Sequence, residues 1–209
     1  MIPPDRFVPL LERNGLIGEV DKFVWAEAAR QVADWRDRLG RTVPVSVNLS
    51  RVDVFDPMLE GTLVSLLREH DLGFDALKLE VTESACTENP ELVIGVIESL
   101  RKRGFEIEMD DFGSGYSSLN MLSNMPVDVL KMDRSFIRNI EHSERDLQLV
   151  ELILGIGRNL KVPVIAEGVE TERQLELLRE KGCSLVQGYY FSRPLPAGEF
   201  EAAVLRKTD

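Results

Sequence analysis

The side chains most able to do chemistry are carboxylates, amides and one lysine, each placed where a short apolar run meets a loop. Asp110 and Asp111 follow the run Phe105 to Met109 and precede Gly113, Ser114 and Gly115. Asn48 follows Val43 to Val47, and Glu80 lies near the end of Leu77 to Val81 with Glu83 just beyond. Lys131 sits in Val127 to Met132, Glu167 follows Val162 to Ala166, and Gln187 follows Ser184 to Val186. Two adjacent carboxylates beside a supple glycine loop suit a hard cation, which takes oxygen ligands. The same residues also suit an ordinary Asp/Gly turn. Brought together, four carboxylates would resist ionisation unless cations neutralised them. The economical expectation is one or two divalent ions, Mg²⁺ or Mn²⁺ before Zn²⁺. Two ions about 3.5–4 Å apart can clamp the attacking and leaving oxygens of a displacement at phosphorus. Lys131 could then orient or help deprotonate a water, or neutralise an oxyanion. Each residue alone also has a plainer role. Asn48 could cap the next segment, Lys131 could pair with Glu80 or Glu167, and Glu170 and Glu172 could be helix-start carboxylates favoured by the dipole. Their recurrence at successive strand ends is what favours a joint site.

The elements that must position them follow from hydrophobic spacing. Val20, Val24, Ala28, Val32, Trp35 and Leu39 recur in steps of three and four, so residues 16–39 read as an amphipathic helix stopped by Gly40. Further helices are expected over about 56–71, 89–103, 143–160, 171–181 and 197–206, with a short helical piece from Leu119 to Met125. Between them lie six short apolar strands. Strands alternating with helices indicate an α/β fold with a parallel sheet buried on both faces, either doubly wound or a (β/α) barrel. In a parallel sheet all these strand ends face one way, and in a barrel they meet at the mouth where active sites lie.

With 209 residues the chain fits one large domain. Its formal charge of −11 leaves no basic stripe for a nucleic-acid polymer, although a metal can still bring in a small phosphate ligand. Two cysteines, Cys86 and Cys183, are too few for a disulfide framework and point to a reducing compartment. No apolar run is long enough to span a bilayer and no signal peptide opens the chain, so a cytoplasmic domain without membrane contact is expected.

Six segments carry a family resemblance: Val47-Asn48-Leu49-Ser50, Leu79-Glu80-Val81-Thr82-Glu83-Ser84, Asp110-Asp111-Phe112-Gly113-Ser114-Gly115-Tyr116-Ser117-Ser118-Leu119, Leu130-Lys131-Met132-Asp133, Ala166-Glu167-Gly168-Val169-Glu170-Thr171 and Gln187-Gly188-Tyr189-Tyr190-Phe191. In this order they resemble the EAL domain over essentially the whole chain. The resemblance implies a TIM-like (β/α) barrel that hydrolyses cyclic di-GMP to linear pGpG with two Mg²⁺ or Mn²⁺ ions. It implies metal ligation by Asn48, Glu80, Asp110, Asp111 and Glu167, and catalysis by Lys131 and Glu167. It further implies a substrate contact from Gln187, a mobile loop over 112–119 anchored by Glu83 and Glu170, and a homodimer. Ser114 stands where threonine is commoner. No Glu-Ala-Leu tripeptide occurs anywhere in the chain. By the resemblance, a metal-binding glutamate, a substrate-binding arginine and the first two strands are missing, leaving about six of eight strands in a single domain spanning 1–209. The expectation is therefore a phosphodiesterase impaired in this form, with its open sheet edges covered by strand exchange or dimerisation, or else an incomplete barrel that is only marginally stable. The alternative is an inactive cyclic-di-GMP-binding or dimerisation module.

Overall fold

The computed structural model describes residues 4–86, 89–114 and 124–205. The chain forms two compact units, Met1–Asp128 and Val129–Asp209. Residues 115–123, which include Tyr116, Ser117, Ser118 and most of the expected 119–125 helix, lie outside the described residues.

In the first unit, helices α1 (Pro4–Arg13) and α2 (Ile17–Leu39) precede strand β1 (Val45–Leu49). Helix α2 ends as Gly40 dictates, with a left-handed φ of 68° that lets its N–H reach the Arg36 carbonyl. The helix expected over 56–71 is α4 (Leu59–Glu69), and a short helix that was not expected, α3 (Arg51–Val54), precedes it. Ser50 and Asp53 form a reciprocal capping box that starts α3. Strand β2 (Leu77–Thr82), helix α5 (Pro90–Arg103) and strand β3 (Glu106–Phe112) complete this unit. β1, β2 and β3 pair in parallel, in chain order.

The strands were expected to be apolar on both sides, and here the structure differs. Val47, Leu49, Leu77, Leu79, Val81, Ile107 and Met109 are all buried. The alternate positions are polar: Ser46 and Asn48, then Lys78, Glu80 and Thr82, then Glu106, Glu108 and Asp110. Successive side chains of a strand point to opposite faces, so one face is core and the other is a ladder of polar rungs. Register aligns Ser46 with Lys78 and Glu106, Asn48 with Glu80 and Glu108, and Thr82 with Asp110.

In the second unit, β4 (Val129–Met132), β5 (Val164–Ala166) and β6 (Leu185–Val186) pair in parallel, again in chain order. Helices α6 (Arg134–Ile137), α7 (Glu144–Leu160), α8 (Glu172–Glu180) and α9 (Ala197–Ala203) follow the strands or their loops. Asp133, Ser143 and Thr171 cap the first three, each accepting a backbone N–H with its side chain. Among the described residues no helix is long and apolar enough to cross a membrane.

Candidate functional site

Strand β3 does not stop before the acidic pair, as apolar spacing suggested, but runs through Asp110 and Asp111 to Phe112. Asp111 has a φ of 52°, in the left-handed region where non-glycine residues are uncommon. Strain of this kind gathers at functional positions, and here it turns the second carboxylate out of the strand's alternation. Asp111 is exposed, whereas Asp110 is half-buried on the polar face.

That face also carries Asn48 and Glu80 on the adjoining rung, Asn48 exposed and Glu80 buried. Neighbouring strands stand about 4.8 Å apart, so these oxygen donors lie on adjacent strands of one surface. Carboxylate and amide oxygens suit a hard divalent cation such as Mg²⁺ or Mn²⁺ in chemistry. Among the described residues, no three of His, Cys, Asp and Glu are grouped so as to hold an ion.

Sequence reasoning missed the lower part of this ladder. Glu108 is only 2% exposed, accepting from the Ser46 hydroxyl at 3.0 Å and from Lys78 at 3.4 Å. Lys78 also bonds Glu106 at 2.8 Å. Burial pulls the Lys78 ammonium down, but its bonds to Glu106 and the charge on Glu108 outweigh it, and its pKa is raised. The signal was present in the strict alternation of Leu77-Lys78-Leu79-Glu80-Val81-Thr82 and Phe105-Glu106-Ile107-Glu108-Met109-Asp110.

Glu83 is buried and accepts the Gly113 backbone N–H at 2.7 Å, while its own N–H bonds the Asp110 carbonyl at 3.1 Å. One side chain thus ties the end of β2 to the start of the glycine loop. Of that loop only Phe112, Gly113 and Ser114 are among the described residues.

Helix α2 grips the end of β1 from the other side. The buried Trp25 indole donates to the Asn48 carbonyl at 2.9 Å. One turn earlier, Asp21 is buried against Asp53, whose carboxylate also holds the Ser50 N–H at 2.8 Å. Burial, then a hydrogen bond to the Asp53 carboxyl and its charge, push Asp21 up to about 7. Ser50 works against the rise and Glu12 adds to it. Folded Asp21 therefore holds its proton from its unfolded value near 3.8 up to about 7, and stability should fall across that window as pH rises. The slope is at most about 1.4 kcal/mol per pH unit. Asp21→Asn should remove it, being close to neutral near pH 4 and stabilising by at least about 1 kcal/mol at pH 8. Urea denaturation at both pH values checks this, and equal parent and variant stability at pH 8 would contradict it.

In the second unit, Lys131 on β4 is 5% exposed and meets the Glu167 carboxylate at 2.8 Å. Of the two partners considered for Lys131, Glu167 is therefore one it has. Backbone bonds fix this pair: the Glu167 N–H reaches the Met132 carbonyl at 3.2 Å, and the Gln187 N–H reaches the Ala166 carbonyl at 2.9 Å. Beyond Glu167 the chain turns through Gly168 at a φ of 73°, where a Cβ would lie 2.6 Å from the Cβ of Arg134. Gly188 packs against Val169 so closely that its Cβ would fall 2.1 Å from the Val169 carbonyl oxygen. Gln187 is exposed, as are Tyr189, Tyr190 and Phe191, and Arg193 stacks over the Tyr189 ring at 4.9 Å. Glu170 is exposed as well. Its carboxylate meets no partner among the described residues, whereas its backbone N–H bonds Gln174.

The sequence profile of the EAL domain family matches residues 1–194. The chain belongs to the EAL domain family. Curated relatives include the cyclic di-GMP phosphodiesterase NbdA of Pseudomonas aeruginosa, 41% identical over 96% of this chain and 26% of its own length. The oxygen sensor protein DosP of Escherichia coli is 40% identical over 95% of this chain and 25% of its own length. The chain thus spans about a quarter of the length of these relatives. The phosphodiesterase PaMucR, solved in complex with c-di-GMP, superposes with a TM-score of 0.90 at 39% identity, covering 95% of this chain and 81% of that one. The α/β class with six parallel strands, read from the sequence, is the EAL fold, a TIM-like barrel architecture.

Proposed function

We propose that this EAL chain is a cyclic-di-GMP phosphodiesterase domain that hydrolyses its substrate to linear pGpG with the help of divalent cations. The buried Lys131–Glu167 ion pair carries the reading. A receptor that only bound the nucleotide would have no need of a desolvated ammonium fixed to a carboxylate, whereas activation of a water uses both. The names of NbdA and of the PaMucR complex support the same substrate.

In this reading Asn48, Glu80, Asp110, Asp111 and Glu167 hold the ions, two of Mg²⁺ or Mn²⁺. When bound, such ions polarise a phosphoryl oxygen and lower the pKa of a bound water. The residues of the chain do the rest. Lys131 orients the attacking water and offsets the charge that develops on the phosphoryl oxygens. Glu167 holds the Lys131 ammonium in place. Gln187 contacts the nucleotide at the mouth. Glu83 and Glu170 steady the loop after Asp110, and a homodimer is the assembly.

The test is conversion of cyclic di-GMP to pGpG with Mn²⁺, followed by chromatography. Asp110→Asn should lower turnover at least about 100-fold, as loss of a ligand oxygen does. Tight cyclic-di-GMP binding without turnover by the parent would favour the alternative, a receptor or dimerisation module.

A further inference from the structure

We propose that Gln174 is a positioning residue for the Lys131–Glu167 pair. Its place in α8 gives it an ordinary duty: with Thr171 it forms the capping box, taking the Thr171 N–H on Oε1 at 3.1 Å while its own N–H donates to the Thr171 hydroxyl at 3.1 Å. Capping does not account for the rest of its contacts. Oε1 also accepts the Glu170 N–H at 2.7 Å, and Nε2 donates to the Ile137 carbonyl at 3.3 Å. Two backbone N–H groups on one side and a carbonyl on the other leave a single sensible orientation for the amide.

Ile137 ends α6, the helix that follows Lys131 and β4. Glu170 ends the loop that follows Glu167 and β5. One side chain, only 6% exposed, therefore bridges the segments that leave the two members of the ion pair. The Thr171 hydroxyl adds a second tie, donating to Glu141 in the connection between α6 and α7. The loop between these ties begins with the Glu167 N–H on Met132 and continues with the Val169 N–H on Gln187, both backbone bonds. Releasing Gln174 from Ile137 frees the loop to drift from α6, and Glu167 goes with it. Groups that orient a ligating or reacting side chain matter nearly as much as the side chain itself.

Glutamate at this position separates the two duties. Gln174→Glu keeps the capping box, for which glutamate is a standard partner, but sets an oxygen against the Ile137 carbonyl and loses the bridge. Thr171→Ala does the reverse, losing the cap and the lesser Glu141 tie but keeping the Gln174–Ile137 bridge. In the full-length protein, Gln174→Glu should lose at least about tenfold of amide hydrogen-exchange protection at Glu167 and Val169, with Thr171→Ala retaining most of it. The Mn²⁺ half-saturation should rise at least about tenfold in Gln174→Glu, and kcat should fall with KM within about twofold. Only these last two readouts rest on the phosphodiesterase reading. If the parent fails to hydrolyse cyclic di-GMP, that reading falls while hydrogen exchange still decides Gln174. Exchange in Gln174→Glu matching the parent, or equal losses in both variants, would overturn the proposal and leave Gln174 as a helix cap.

Discussion

Gly188→Ala is expected to be among the most damaging single substitutions in the chain, lowering stability by about 3 kcal/mol or more. The reason is what the added methyl would meet. Its Cβ would lie 2.1 Å from the Val169 carbonyl oxygen and 2.3 Å from the Val169 nitrogen, both backbone atoms. A flexible side chain could swing aside, but a peptide group held by its own hydrogen bonds cannot. The Val169 N–H bonds the Gln187 carbonyl at 3.1 Å, and the Val169 carbonyl takes the Tyr190 N–H at 2.9 Å. Relieving the clash means breaking that pair of bonds and moving Gln187 and the Glu167 loop together. Urea denaturation gives the stability and pGpG formation gives the activity. A variant within about 1 kcal/mol of the parent would show that the close approach is not rigid.

Lys131→Met is expected to remove about a thousandfold of turnover, the upper range for a group that stabilises developing charge. It keeps most of the aliphatic stem and deletes the ammonium with its charge. Breaking a buried pair from one side leaves the partner's charge in a poor environment, which typically costs about 3–5 kcal/mol. The Glu167 side chain keeps 18% of its exposure, so a loss nearer about 2 kcal/mol is expected. The double variant Lys131→Met/Glu167→Gln separates the two effects. With both charges gone, stability should return to within about 1 kcal/mol of the parent, whereas activity should stay lost. Activity returning along with stability would mean that the pair serves folding and not chemistry.

Much of this was legible in the residues themselves. Helix α2 follows from its helical apolar spacing and from Gly40, although its buried face runs through Ile17, Trp25, Ala29, Val32 and Trp35 and leaves Val24 of the expected stripe exposed. The strands bearing Asn48, Glu80 and Lys131 follow from short apolar runs between helices. Two things were not legible. The polar rungs of β1 to β3 were passed over because valine, leucine and isoleucine at every other position looked like a continuous buried run. The distant partners of the Gln174 and Glu83 side chains were not visible because they lie 30 or more positions away, as in Glu83 to Gly113 and Gln174 to Ile137. Hydrophobic period reports which face is buried, and says nothing of which backbone group a polar side chain will find.

The alternating faces of β1, β2 and β3 also bear on how this part of the chain reaches its native pairing. A strand displaced by a single residue swaps its two faces. For β3 such a slip would thrust Glu106, Glu108 and Asp110 into hydrocarbon and strand Ile107 and Met109 among charges. Burying unpaired carboxylates is severely unfavourable, so misaligned β3 has almost no foothold. The acidic ladder thus doubles as an alignment key, and neutral replacements along it should raise the yield of mispaired, aggregation-prone species during refolding.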